Sequence, residues 1–277
     1  LAVFVSKTFR KSLTMKNYAT QLQLKVIDKG LCIGCGICCA LDPSKTAEFA
    51  KDKNGENIVK FGSESKLPEI AWLACPGKGV DYPRVFRYLF GGLPKDWRLG
   101  WLKGIYIGYS LDKKIRYNSS SGGVSTEVLK FLLDERYVDA VIVAKQGNPS
   151  SLIETSWGLI KRSSDLDYYS QSVYINVPML SCLEALDPSK KYAITVTPEH
   201  CSALRELQLS GCQQASSIKY VIGPYTGTSL ETKAIQGLFK IHGVSRHDEL
   251  VSLKWRAGNW PGFFEAKFRS GAFIRIK

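Results

Sequence analysis

From Gly104 onward, short apolar runs alternate with longer segments whose apolar residues recur at helical spacing. GIYIGYS (104–110), DAVIVAK (139–145), KYAITVT (191–197) and IKYVIG (218–223) read as strands. SGGVSTEVLKFLLDERYV (121–138) places Val124, Val128, Leu129 and Leu132 on one helical face. PEHCSALRELQ (198–208) and SLETKAIQGLFKIHG (229–243) read as two more helices, the second closed by Gly243. The last stretch, 249–277, is β-like, with turns at Ala257-Gly258-Asn259 and Ser270-Gly271. Such alternation predicts an α/β domain with a mixed, partly parallel sheet. Upstream the pattern changes: residues 28–80 are loop-rich and cysteine-bearing, with an exposed turn at KDKNGEN (51–57). Val80, Val85, Phe86 and Leu89 predict a short helix ending at Gly91-Gly92, and GLPKDWRLG (92–100) then links to the larger domain.

Composition narrows the class. The 277 residues are 44% hydrophobic and 23% charged, enough for one large or two modest cores. No apolar run is long enough to cross a bilayer, so no membrane span is expected. The start, LAVFVSKTFRKSLTMK, is too short and basic for a secretory signal and lacks a small-residue cleavage site. Residues 1–27 are expected to be a poorly ordered leader, with 1–14 a read-in or alternative start before Met15. The net charge of +13 favours anionic partners. Its lysines and arginines are dispersed, with no basic–aromatic block or nucleic-acid-binding module, so nucleic acid is not the expected partner. Anionic cofactors and an acidic electron-transfer partner account for the charge as well.

Cys32, Cys35 and Cys38 stand in Cys-Ile-Gly-Cys-Gly-Ile-Cys, and Cys75-Pro76-Gly77 follows after 36 intervening residues. Three cysteines at this spacing, closed by a Cys-Pro, are the ligand pattern of a cubane 4Fe-4S cluster. Structural zinc also takes four thiolates, but usually from two paired Cys-x-x-Cys knuckles. Incidental buried thiols are the third reading, and Cys39 competes with Cys38 as ligand. The eight cysteines cluster as a metal-binding set rather than a disulfide framework, which argues for a reducing, cytoplasmic compartment. Cys182, Cys201 and Cys212 are isolated and read as small buried apolar residues.

Four other places carry candidate chemistry. Asn118, Ser119, Ser120, Ser121, Gly122 and Gly123 precede a long helix, where serines supply N-cap oxygens and glycines admit a cofactor phosphate. A well-capped helix after a loop explains them equally. Pro198, His200 and Cys201 open the next helix; a Cys–His nucleophile there lacks an orienting third residue, and adjacent helical side chains diverge by about 100°. Ile222 to Thr228 is a glycine-bearing loop at a strand end, an ordinary turn or a site wall. Lys254, Trp255, Arg256 and Trp260 form an aromatic–basic cluster that suits ring stacking or, in a β-rich segment, core.

Taken in order, these landmarks resemble the coenzyme F(420) hydrogenase/dehydrogenase beta-subunit family. The matching pieces are the cysteine run, Ala74-Cys75-Pro76-Gly77, Ser119 to Gly123, Pro198 with Cys201 to Arg205, and Arg256 to Gly262. The resemblance implies a ferredoxin-like iron–sulfur unit at 28–92 and a flavin-binding α/β domain at 100–277, split near residue 185. It implies an iron–sulfur flavoprotein oxidoreductase in which FAD exchanges hydride with a diffusible substrate and a 4Fe-4S cluster exchanges single electrons with a partner. Asn118 to Gly123 and Pro198, His200 and Cys201 would contact the flavin; Cys32, Cys35, Cys38 and Cys75 would hold the cluster. Partners implied are a redox protein or small electron carrier, with a homo-oligomer also expected. The chain departs from the family in having sequence for one cluster where many members have two, and in stopping at Lys277, short of where relatives continue, so a truncated C-terminal part is expected. Its 223–228 loop is similar to a branch associated with bacterial polysaccharide biosynthesis, which gives the alternative of an accessory protein whose cluster is structural or non-catalytic.

Overall fold

The computed structural model describes residues 17–148 and 151–277. The leader expectation for 1–16 lies outside these residues. Its remainder is corrected: Asn17 caps α1 (Tyr18–Leu22), which continues as a π-helical turn through Ile27. Leu22 and Val26 are 1% and 2% exposed, so this segment is core, not leader.

The cysteine-rich part follows in chain order: α2 (Ile37–Leu41), a hairpin of β1 (Glu48–Lys51) and β2 (Asn57–Lys60), α3 (Glu69–Leu73) and α4 (Tyr82–Phe90). Gly91 closes α4 at φ 74°, a left-handed conformation that glycine adopts without steric cost. Then come α5 (Lys113–Asn118), α6 (Val124–Asp134), β3 (Ala140–Asn148), β4 (Ser151–Ile160), β5 (Tyr192–Thr195), α7 (Pro198–Leu209), α8 (Gln213–Ser217), β6 (Ile218–Ile222) and α9 (Thr232–Ile241). Strands β7 (Leu250–Ala257), β8 (Phe263–Phe268) and β9 (Phe273–Ile276) end the chain, and the Trp260-Pro261 peptide bond is cis.

The central sheet has the order β4-β3-β5-β6. Strands β3, β5 and β6 run parallel and β4 is antiparallel to β3, so the sheet is mixed, as the alternation predicts. Side chains alternate across it. Val141, Val143 and Ala193 pack under α6 with Leu129, Leu132 and Leu133. Ala140, Ile142, Tyr192 and Ile194 pack on the other face with Leu204 and Leu207 of α7. The expected α6 face is rotated: Val124 and Val128 are 47% and 39% exposed, because the helix centres Leu129, Leu132 and Leu133 over the valines of β3. GIYIGYS, expected as a strand, pairs with nothing among the described residues.

The cysteine-rich part shares the α7 side of this core. Leu22, Val26, Ile37, Leu67 and Ala71 belong to the same apolar cluster as Ile142, Ile194 and Leu204. A third cluster joins the β7-β8-β9 sheet to Ile235 and Phe239 of α9. The hairpin reaches it: Glu56 Oε1 accepts from the Thr232 N–H at 2.7 Å, at the start of α9.

Asp42 fixes the route of the chain between the third and fourth cysteines. Its carboxylate, 1% exposed, accepts from the N–H groups of Ser44 (3.1 Å), Thr46 (3.1 Å) and Ala47 (2.8 Å). The hydroxyls of Ser44 (2.6 Å) and Ser65 (3.2 Å) donate as well. Burial by itself raises this pKa, but the Ser44 hydroxyl and the three N–H donors outweigh it and bring it down to about 2. A depressed carboxylate pKa stabilises the fold above the unfolded value near ~3.9 and loses that contribution as pH falls toward the folded value. Asp42→Ala is therefore expected to cost about 3 kcal/mol in urea unfolding at neutral pH, since buried donors lose a charged acceptor. The gap between variant and wild type should close as pH drops from about 4 to about 2.

Candidate metal centre and cofactor crevice

Cys32, Cys35, Cys38 and Cys75 line one small cavity. Its other walls are largely apolar: Leu22, Val26 and Ile27 from the first helix, Ile33 from the loop, and Val59 from β2. The 36 residues between Cys38 and Cys75 are spent on the Asp42 turn, the hairpin and α3, which return the chain to the cavity. Cys38 lines the cavity and its neighbour Cys39 does not.

The loop is held from outside by a strap, residues 172–181. The Leu180 N–H donates to the Cys35 carbonyl at 2.9 Å, and the Asn176 side-chain amide donates to the Ile33 carbonyl. The Trp157 indole fixes the strap in turn, donating to Ser181 Oγ at 2.9 Å. Gly36 stands at the N-cap of α2 with φ 89°; a Cβ there would lie 2.7 Å from Ser181 Cβ and 2.8 Å from Ser181 N. Only glycine fits between cysteine loop and strap.

Burial pushes the Cys35 thiol up to about 12, with Cys75 and Cys32 adding to the shift and the Ile37 N–H opposing it. Cys38 is raised by burial and then by Cys35, Cys75 and Cys32. Cys75 is raised by burial, against the N–H groups of Lys78 and Gly77. Thiols so placed stay protonated unless a cationic centre compensates them, which is the environment of a metal-thiolate site. Among the described residues, no three His, Cys, Asp or Glu side chains close around a point as ligands of a single ion do. Four cysteine thiols around one cavity are a donor set of the kind that metal–thiolate sites use.

The second region gathers at the carboxyl ends of the parallel strands. Helix α6 returns directly into β3, so its N-terminus lies at that end, as do the start of α7 after β5 and the loop after β6. The expected serine N-cap is corrected: Gly123 occupies it at φ 79°, with no side-chain cap. The Ser119 hydroxyl instead donates back to the Ile115 carbonyl at 2.6 Å, and Ser120 Oγ accepts from the Ser172 N–H at 2.8 Å. The α6 N-terminus therefore keeps its N–H groups free of serine oxygens. Two guanidinium groups flank the loop: Arg116 donates to the Ser121 carbonyl at 3.1 Å and Arg256 to that of Ser120 at 3.4 Å. Arg256 also donates to Tyr174 Oη (3.0 Å) and the Pro261 carbonyl (3.2 Å), joining the Arg256–Gly262 element to the serine loop. Trp255, by contrast, is core, 7% exposed.

His200 and Cys201 do not form a nucleophile–base pair. His200 Nδ1 bonds Thr197 Oγ1 at 2.6 Å, while its Nε2 is buried with no partner among the described residues. Burial lowers the His200 pKa, against the opposing pull of Glu199. Cys201 is raised by burial and interacts instead with Arg205. Nothing in the sequence patterning marked Asn176, Leu180 or Ser181; the one available signal was a lone amide in the apolar stretch VYINVPML.

Two family models match the chain. Residues 105–184 match the model for the N-terminal part of the coenzyme F(420) hydrogenase/dehydrogenase beta subunit. Residues 189–277 match the model for the C-terminal part of the same protein. No curated protein matches. Among solved structures, a chain of the F(420)-reducing NiFe hydrogenase complex from Methanosarcina barkeri is 20% identical, with a TM-score of 0.48 over 62% of this chain. The match spans 61% of that chain's length.

Gly36→Ala is expected to cost about 2 kcal/mol, from left-handed strain together with the clash against Ser181. The readout is the urea midpoint, compared with Gly91→Ala, whose Cβ would meet nothing within 4 Å and which carries the backbone strain alone.

Proposed function

The chain belongs to the coenzyme F(420) hydrogenase/dehydrogenase beta-subunit family, and from that premise we propose that it is an iron–sulfur flavoprotein that relays electrons to or from a redox partner. The observation that carries this reading is the convergence of Cys32, Cys35, Cys38 and Cys75 on one apolar-walled cavity. These four residues would hold a 4Fe-4S cluster. FAD would sit at the carboxyl ends of the parallel strands, against Asn118 to Gly123 and the Pro198, His200 and Cys201 turn. The support is chemical: an uncapped α6 N-terminus between two guanidinium groups suits a pyrophosphate. Bound there, the cluster supplies one-electron exchange and the flavin supplies the interchange of two-electron and one-electron chemistry.

The protein's own share is positional. The strap holds the carbonyls of Ile33 and Cys35 away from the cavity, leaving sulfur and apolar wall toward a bound cluster. Arg256 holds the Ser120 carbonyl and so fixes the serine loop in front of α6. The neutral His200 has a free Nε2 available to a buried polar atom of a ligand, while Thr197 orients its ring. Eight free thiols support a reducing, cytoplasmic setting. Among the described residues no helix is long and apolar enough to cross a membrane.

Anaerobically purified protein should carry about four irons and matching sulfide per chain. Cys32→Ser and Cys75→Ser should lose most of that iron, while Cys39→Ser keeps it. Colourless protein holding a single zinc would end the cluster reading. Arg256→Leu should weaken flavin binding about tenfold, roughly 1.4 kcal/mol, with iron content unchanged. Flavin fluorescence after acid release measures it.

A further inference from the structure

The run Gly104–Ser110 has the composition of a strand, yet among the described residues it has no ladder partner, and it contains no helix, turn or bend. Among the described residues its one backbone bond is from the Ser110 N–H to the Gly122 carbonyl at 2.7 Å. Ile105, Tyr106, Ile107 and Leu111 are 79%, 92%, 102% and 88% exposed, and Trp97 and Leu99 beside them are 53% and 64% exposed. A line of unpaired N–H and C=O groups carrying branched and aromatic side chains is what an incoming strand adds to.

The surroundings select the occupant. Between residues 95 and 116 stand six lysines and arginines and two aspartates. Arg98 is paired with Asp96 at 2.7 Å and Lys114 with Asp167 at 2.6 Å, and Asp112 caps α5, which leaves Lys95, Lys103, Lys113 and Arg116 without an ion pair among the described residues. The edge is therefore apolar with a basic rim. A second copy would bring another +13 chain against it, so like charges oppose self-pairing. A lipid surface would offer no ladder of donors and acceptors to the exposed backbone. We propose that residues 104–111 form a docking edge to which an acidic partner protein adds a β-strand. The partner's apolar side chains would meet Ile105 and Ile107, and its carboxylates would face Lys103 and Lys113. The edge does not depend on the cofactor reading: it stands whether or not the cysteines hold iron.

The test uses the full chain, with and without reconstituted iron. Random decapeptides displayed on phage are selected on immobilised protein and counter-selected on Ile107→Pro, which removes one N–H from a fully exposed position. Selected peptides should interleave aspartate or glutamate with apolar residues. A synthetic copy of the most enriched peptide should slow amide exchange at 105–109. Its affinity should fall about tenfold on Ile107→Pro and on the Lys103→Glu/Lys113→Glu variant, and again at about 0.5 M salt. Unchanged circular dichroism confirms that the variants fold. Four results would each overturn the proposal. The first two are selection without an acidic bias, and peptide protection that falls elsewhere in the chain. The others are phosphatidylserine vesicles binding wild type and Ile107→Pro alike while peptides do not, and protection at 105–109 that rises with protein concentration alone.

Discussion

The inner faces of β3 and β5 share one apolar core with the cysteine-rich segment, bridged by α7 and the Met179–Ala185 turn, and everything else in the molecule follows from that core. Ile142 and Ile194 have no exposed surface, and the cluster they belong to extends to Leu22, Val26, Ile37 and Ala71 from the first 75 residues. Each such side chain contributes about 1.5–3 kcal/mol when fully buried. The cavity with its four cysteines is thus an outgrowth of the main core rather than a separate module tethered to it. Its apolar walls include Leu22 and Val26 of that core, and burial raises the pKa of the Cys35, Cys38 and Cys75 thiols.

The sheet then divides the labour. One face carries α6, the other α7 and the cysteine-rich part, and the carboxyl ends of the strands gather the chain's phosphate-compatible loops. A glycine rather than a serine at the α6 N-cap leaves backbone donors free where a side chain would otherwise consume them. Arginines approach this loop from two directions in sequence, Arg116 from just before it and Arg256 from the final sheet. Two of the chain's dispersed cations, Arg116 and Arg256, thus meet at the crevice, while Lys103 and Lys113 stand on either side of the unpaired 104–110 run.

What the sequence made legible is whatever depends on local pattern. The strands at 140–148, 192–195 and 218–222, the helices at 124–134, 198–209 and 232–241, and the final β-rich stretch all lie where periodicity put them. So does the end of α4 at Gly91, because a left-handed glycine is a local requirement. Partnership was not legible. GIYIGYS has strand composition and no strand neighbour among the described residues, since pairing is decided by distant residues. Residues 18–27 read as leader because the part that Ala19, Leu22 and Val26 take in the core shows only once they are packed. The cysteines were recognised from spacing alone, but Asp42 and Asn176 were not: each is a polar residue whose role exists only in its hydrogen bonds to chain far away or turned back on itself.

The strap gives the two regions a common ruler. Ser172 bonds the serine loop and Asn176 bonds the cysteine loop, with only three residues between them. Each residue spans at most about 3.5 Å, so the interval from crevice to cavity is a whole number of peptide units. Side-chain substitution leaves such a count untouched; insertion or deletion of one residue changes it in a single step. Drift in this family is then free to alter what the strap touches, but a change in its length would have to be answered at both ends at once.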